Sequence, residues 1–239
     1  MFPFRNRTAD PLLVRARRLQ SGTATDRTMF FSDAVFAIAM TLLVLDLKLP
    51  AVPPDTTAEE LATLLAGQLG PLAAFILSFV LIGRLWMNHH RRFTAVERYD
   101  SGLQGLNLVC LFFVVFLPVP TSLLFQANGQ SPWPPVLYAL TVAGAFQSLG
   151  WLWTHANKAG LMADWLDPAL YGLVLHGTDP VWVVFLLSIP VAFVSPVWAM
   201  YSWVLILPAS LLHGRWQLAR LARGGRPPAP AAKNAAGEP

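Results

Sequence analysis

The chain has 239 residues, of which 55% are hydrophobic and 13% charged, with a net charge of +4. Soluble domains carry about 25% charged residues, so this composition excludes an ordinary soluble enzyme. With ~20 residues needed per span, it describes a polytopic membrane protein without a large soluble domain. The basic residues fall in short blocks between apolar runs, a placement that argues against nucleic acid as a partner. Cys110 is the one cysteine and lies inside an apolar run, so no internal disulfide is available.

Residues 1–28 form a basic segment with arginines at 5, 7, 15, 17, 18 and 27. The first apolar run covers 29–49 and is broken by PAVPPDTTAEE. The second, 61–88, leads into RLWMNHHRRFTAVERYD, a polar and basic segment. The third, 102–125, contains FLPVPTSLL, whose two prolines read as a helix end or kink. QANGQSPWPP is a turn by composition. A fourth run at 135–154 is followed by a mixed linker at 155–179, and a Ser-Pro step divides a fifth run (180–195) from a sixth (197–213). Residues 214–239 turn into Pro/Ala/Gly-rich sequence, expected to be a partly disordered tail. Tryptophans 133, 151, 153, 182, 198, 203 and 216 sit near run ends and read as interfacial anchors.

The fold class is therefore an all-α integral membrane protein with six transmembrane helices in a domain spanning 29–213. Six spans put both termini on one side. Fifteen Lys/Arg residues fall on that side and Lys48 alone on the other, with Arg84 inside a span. The positive-inside rule makes both termini cytoplasmic in a multi-pass cell-membrane protein. The two halves carry no obvious repeat, which weakens an inverted-repeat transporter.

The first run, RTMFFSDAVFAIAMTLLVLDLKLP (27–50), has its own pattern. At 100° per residue, Phe31, Ala34, Ile38, Leu42, Leu45 and Leu49 share one stripe, with Thr41 beside it. Asp33 falls about 220° from Ile38, on the far side of the helix. Read from spacing alone, the stripe is a helix–helix packing face, with Thr41 bonded to its own backbone. A carboxylate inside a span costs about 2.5–3.5 kcal/mol on insertion scales and needs a protein partner or water, so Asp33 expects a partner. Asp46 lies one turn from the outer end, close enough to water to stay charged.

In NHHRR, adjacent histidines on a helix point about 100° apart and do not easily share a metal. His155, His176 and His213 are scattered, so no metal site is expected. Arg84 lies about one turn inside the second span and is expected to snorkel or to pair with Asp33 or Asp100.

The segment Arg27-Thr-Met-Phe-Phe31-Ser32-Asp33 matches an R-x-x-x-F-S-D signature, and the chain resembles the transmembrane protein 175 family of endosomal and lysosomal potassium channels and their prokaryotic, single-repeat relatives. The continuation AVFAIAMTLLVLDLKLP, WMNHHRRF in the second span, and Asn107 with FLPVPT in the third carry the same likeness. The resemblance implies a homotetramer in which the first helix of each subunit lines a central pore, with no carbonyl-lined filter. Ile38 would be the narrowest ring, Leu42 and Leu45 would stack outside it, and Thr41 would support it through a hydrogen bond. Arg27, Phe31, Ser32 and Asp33 would tie the base of the pore helix to its neighbours. Trp86, His89 and His90 would join Asp100, Asn107, Ser32 and Asp33 in a polar network, while Asp46 would raise cation concentration at the outer mouth. The implied function is a passive, potassium-favouring cation channel with no enzyme activity and no cofactor beyond the permeant potassium ions. Its partners would be further copies of itself and membrane lipid. The alternatives are a secondary or proton-coupled transporter using Asp33 and the His89/His90 pair, and a membrane enzyme around the two histidines.

Overall fold

The structure, a computed structural model, describes residues 25–45, 47, 51–126 and 130–224. Asp46, Lys48, the arginines at 5–18 and the chain after 224 lie outside the described residues. Among the described residues, six helical stretches are long and apolar enough to cross a membrane.

The first is α1 (Asp26–Leu45), begun by an acidic residue in its first turn. The second stretch is 37 residues long, Ala58–Thr94. At 1.5 Å per residue an unbroken helix of that length would far exceed the ~30 Å hydrocarbon thickness. It is divided at Gln68 into α2 (Ala58–Gly67) and α3 (Leu69–Thr94). A capping box starts α2: the Glu60 amide donates to Thr57 Oγ1, and the Thr57 amide donates to the Glu60 carboxylate at 2.8 Å. The third stretch is also two helices, α4 (Ser101–Phe116) and α5 (Pro118–Gln126), separated at Leu117. The break falls where FLPVPT placed it, because Pro118 and Pro120 offer no amide to the preceding turn.

The fourth stretch, α6 (Trp133–Lys158), is the axis of the bundle. Its apolar window is 67% buried, against 22% for α1. It packs against α4 on one side and against α8 (Asp179–Val194) on another. Gly144 makes the first of these seams possible, since a Cβ there would lie 2.6 Å from the Phe113 ring on α4. Gly160, with φ +65°, ends α6 in a Schellman turn: the Leu161 amide reaches the Ala156 carbonyl at 2.9 Å. The fifth stretch begins earlier than the sequence suggested. The expected linker at 155–179 contains α7 (Pro168–His176), with Asp167 capping the Ala169 amide at 2.6 Å. The sixth comprises α9 (Pro196–Ser202), a 3₁₀ turn at Trp203–Leu205, and α10 (Ile206–Gly224). In a regular helix the Pro208 ring would meet the Val204 carbonyl, which accounts for the tighter turn before it. α10 crosses the expected boundary at 213 without a break.

Two of the seven tryptophans are not interfacial. Trp153 is fully buried, stacked on Tyr171 with ring centroids 5.6 Å apart, and donates to the Tyr171 carbonyl. Trp203 is buried against Tyr138 and Phe185 and donates to Ser188 Oγ at 2.9 Å. Trp153 lies at the end of its run in sequence and Trp203 in the middle of the sixth, and both take inward faces in space. Much of the polar segment RLWMNHHRRFTAVERYD is likewise helical, because α3 continues to Thr94. The remainder pairs with the turn after α6 through a bridge between Val96 and Met162.

Candidate pore helix and its polar base

The first helix has two apolar faces with different fates. Ser32, Phe36, Ala39 and Leu43, spaced four, three and four residues apart, are buried against α3 and α4. This face is centred about 130° from Ile38 on the helical wheel. The stripe read from sequence is the other one. Ile38 is 57% exposed, Leu42 40% and Leu45 72%, and Phe31, Ala34 and Thr41 are exposed with them. The stripe is therefore not the face by which α1 packs on its own chain. Thr41 Oγ1 donates to the Ile38 carbonyl at 2.8 Å, tying the hydroxyl to the backbone of the residue expected at the ring.

Below the stripe, a buried hydrogen-bond chain crosses three helices. Ser32 Oγ donates its proton to the Thr28 carbonyl at 2.8 Å. It must therefore accept from Asn107, whose Nδ2 lies 2.9 Å away. That turns the Asn107 carbonyl oxygen towards His89 Nε2 at 2.8 Å, so His89 carries its proton on Nε2. Nδ1 of His89 is then left as a buried acceptor with no partner among the described residues. The ring is held between Phe93, at 4.4 Å and nearly stacked, and Phe36, at 5.4 Å. Helix α1 is thus joined to α3 and α4 by one directional chain, and all three side chains are buried, where each group needs a protein partner.

Asp33 meets a different residue. The Trp86 indole donates to Asp33 Oδ1 at 2.8 Å, a second link between α1 and α3 beside the first. His90 packs its ring on Trp86 with centroids 6.0 Å apart and is exposed, whereas His89 is fully buried. The two histidines therefore face apart, and Asp33 shares a bond with neither. Among the described residues no three His, Cys, Asp or Glu side chains converge as a metal site would require.

Asp100 belongs to a third group. Its carboxylate accepts the Leu103 amide at 2.7 Å, capping α4, and lies 2.9 Å from His155 Nε2 at the end of α6. Burial pushes the Asp100 carboxyl upwards, but the Leu103 amide and His155 together outweigh it and hold the group below its usual value. Gly102 leaves the space for this pair, since a Cβ there would stand 2.6 Å from the His155 ring. Arg27 is exposed, and neither it nor Arg84 has an ion pair among the described residues.

The sequence reading missed Arg92, His155 and Gly102. In sequence Arg92 is one of several basic residues in the polar segment after the second run. It is fully buried, and its Nη2 donates to the Val174 carbonyl at 2.9 Å and to Thr178 Oγ1 at 3.4 Å, clamping the turn between α7 and α8. Its Nε and Nη1 have no hydrogen-bond partner among the described residues. A signal did exist: Arg92 continues the buried stripe Ala74, Ser78, Leu81, Leu85, His89 at helical spacing. His155 and Gly102 had none, because their roles depend on a contact between the start of α4 and the end of α6.

The family described as "Endosomal/lysosomal potassium channel TMEM175" matches residues 27–118, the segment that holds α1 and most of the polar base. A protein of Streptomyces collinus named as a potassium channel is 37% identical over 141 residues, covering 58% of this chain and 67% of that protein. The chicken endosomal/lysosomal proton channel TMEM175 is 32% identical over 112 residues, 46% of this chain but 22% of that protein. Among solved structures, a lysosomal potassium-selective channel TMEM175 homolog from Chamaesiphon minutus superposes with a TM-score of 0.65. It is 29% identical, over 80% of this chain and 98% of that one. With the R-x-x-x-F-S-D motif at the base of its first helix and six apolar helical stretches, the chain belongs to the TMEM175 potassium channel family.

Proposed function

We propose that the chain is a potassium-favouring cation channel that assembles as a homotetramer, with α1 of each copy lining a central pore. The observation that carries this reading is the uncovered stripe of α1. One helix cannot enclose a pore, and a helix already packed on α3 and α4 through Phe36, Ala39 and Leu43 has Ile38, Leu42 and Leu45 left to face an axis. Rings of these side chains offer no ligands to replace an ion's water. When tight they block by dewetting. When wider they pass ions that shed water easily, and potassium holds its water less strongly than sodium. Thr41, bonded to the Ile38 carbonyl, would stiffen the backbone at the ring. The Ser32–Asn107–His89 chain and the Asp33–Trp86 bond would hold the base of α1 while ions pass.

In this assembly residues 29–213 are the membrane channel domain, with residues 1–28 and 214–239 as cytoplasmic extensions. The ends of α1 and α10 that bear the basic residues face the cytoplasm of a cell membrane. Potassium ions are the cargo, and no resident cofactor or catalytic step is needed. The family relationship to named potassium channels supports the ion. The name of the vertebrate relative favours a second reading, in which protons also cross.

Reconstitution separates these. Purified protein in liposomes under a potassium gradient should give potassium flux and, in planar bilayers, unitary currents faster than any carrier cycle. Acidification of the vesicles under an imposed pH gradient, alongside the potassium flux, would support the proton reading. Coupled exchange without unitary currents would remove the channel.

A further inference from the structure

Away from α1, helices α7 and α10 enclose a cleft of about 900 Å³, in the range of small-molecule sites. It lies at the end of the bundle where α6 finishes, since Trp153, near the end of α6, stacks on Tyr171 of α7. One wall, from α7, is apolar: Pro168, Ala169 and Leu173. The other is a single face of α10, with His213, Trp216, Gln217 and Arg220 at i, i+3, i+4 and i+7.

The charges in the cleft are unequal in availability. Asp167 is engaged by the Ala169 amide. Asp179 accepts from His176 Nδ1 at 2.8 Å and from the Trp182 indole at 3.2 Å. Arg220 lies over the Trp216 ring at 4.9 Å and has no carboxylate in ion-pair range among the described residues. His213 Nε2 lies 2.9 Å from the His176 carbonyl and 2.9 Å from Gln217 Nε2, leaving a polar floor beside that guanidinium. One turn back from Trp216 and outside the cleft, Leu212 is exposed, so the indole side of the cleft borders an apolar surface. A guanidinium, an amphipathic indole and an exposed leucine in that order along a helix leaving a membrane match a phosphate, glycerol backbone and acyl chain in theirs.

We propose that this cleft binds an anionic phospholipid from the leaflet into which α10 emerges. Its phosphate would sit on Arg220, its glycerol against Trp216, and an acyl chain would leave along Leu212. The apolar α7 wall favours a lipid over a soluble phosphate, which would gain nothing from Leu173.

The test uses the whole protein in detergent, titrated with phosphatidylglycerol, phosphatidylcholine or inorganic phosphate. Thermal unfolding and native mass spectrometry follow stability and bound lipid. Phosphatidylglycerol should raise the unfolding temperature and appear as a retained adduct, with the other two giving little. Arg220→Gln should weaken the adduct about tenfold, the scale of losing one charge-assisted contact, and Arg220→Lys should recover part of it. Arg220 is exposed, so its substitution should leave the lipid-free unfolding temperature in place. Equal stabilisation of wild type and Arg220→Gln would overturn the proposal. So would equal stabilisation by phosphatidylcholine, or by inorganic phosphate, which would mark a soluble anion as the occupant. Flux measurements do not enter, so the site and the channel reading stand or fall separately.

Discussion

At the scale of single residues, Ile38 and Asn107 are the most informative positions. Ile38 is a large apolar side chain that α1 leaves exposed while burying its neighbours on either side of the turn. Ile38→Asn should wet the ring and reduce discrimination between potassium and sodium, read as a shift of the bi-ionic reversal potential towards zero. An unchanged potential in well-assembled protein would place the constriction elsewhere. Asn107 donates to Ser32 and accepts from His89. Asn107→Ala should therefore strand the buried His89 Nε2–H, while Ser32 keeps its bond to the Thr28 carbonyl, and cost ~1–3 kcal/mol of stability. Thermal unfolding in detergent checks this, and an unchanged midpoint would mean that water or a rearranged rotamer fills the gap. These residues could be picked out in the chain by the R-x-x-x-F-S-D motif and its offsets. The order of the bonds among them could not, because donor and acceptor roles depend on which helices meet.

At the scale of elements, the seams depend on glycines and on one carboxylate–histidine hydrogen bond. Gly144→Ala places a methyl group 2.6 Å from the Phe113 ring, on the seam between α4 and α6. Either the ring or the helix must move, and overpacking of this kind costs about 1–3 kcal/mol. The unfolding midpoint should fall, and restoring space with Gly144→Ala/Phe113→Leu should recover part of the loss. The Asp100–His155 pair joins the start of α4 to the end of α6. Asp100 is held below its usual value in the folded protein. The stability it contributes is therefore present above the unfolded-chain pKa of about 3.9 and lost as pH falls through the lower folded value. Wild type should lose its advantage over Asp100→Asn below about pH 4. A difference between them that persists undiminished at lower pH would assign the effect to the Leu103 cap geometry instead. Element breaks at Pro118 and at Ser195-Pro196 were visible in the sequence because proline acts through its own backbone. The helix at Pro168–His176 was not, since its polar flanks read as linker and it is held from outside by Arg92 and Trp153.

At the scale of the whole molecule, the proposed tetramer would place four copies of Asp46 around the outer mouth. That residue lies outside the described part of the structure, so its effect is argued from sequence position and solvent electrostatics. Its charge would raise the local cation concentration, and Lys48 two residues on would partly offset it. A solvent-mediated effect is screened at high salt, where the Debye length is about 3 Å at 1 M. Asp46→Asn should lower inward potassium conductance at low ionic strength and leave it nearly unchanged at high ionic strength, with the permeability ratio constant in both. A loss that survives concentrated salt would point to direct coordination or misassembly.

Membrane residence, six apolar stretches, the existence of an apolar stripe on α1 and the family motif are all properties of local order along the chain. Hydrophobic length and the 100° step of a helix act within a few turns, so the amino-acid sequence alone determined them. Which face of each helix turns inward is a property of pairs of helices. Trp153, Trp203 and Arg92 have the composition of interface residues and are buried because α7, α8 and the 3₁₀ turn close over them. The division of the expected polar network into a Ser32–Asn107–His89 chain, an Asp33–Trp86 bond and an Asp100–His155 pair has the same origin. A carboxylate or amide inside a bundle bonds to whatever donor the neighbouring helix brings within about 3 Å, and that is decided by helix packing, which no single stretch of sequence contains.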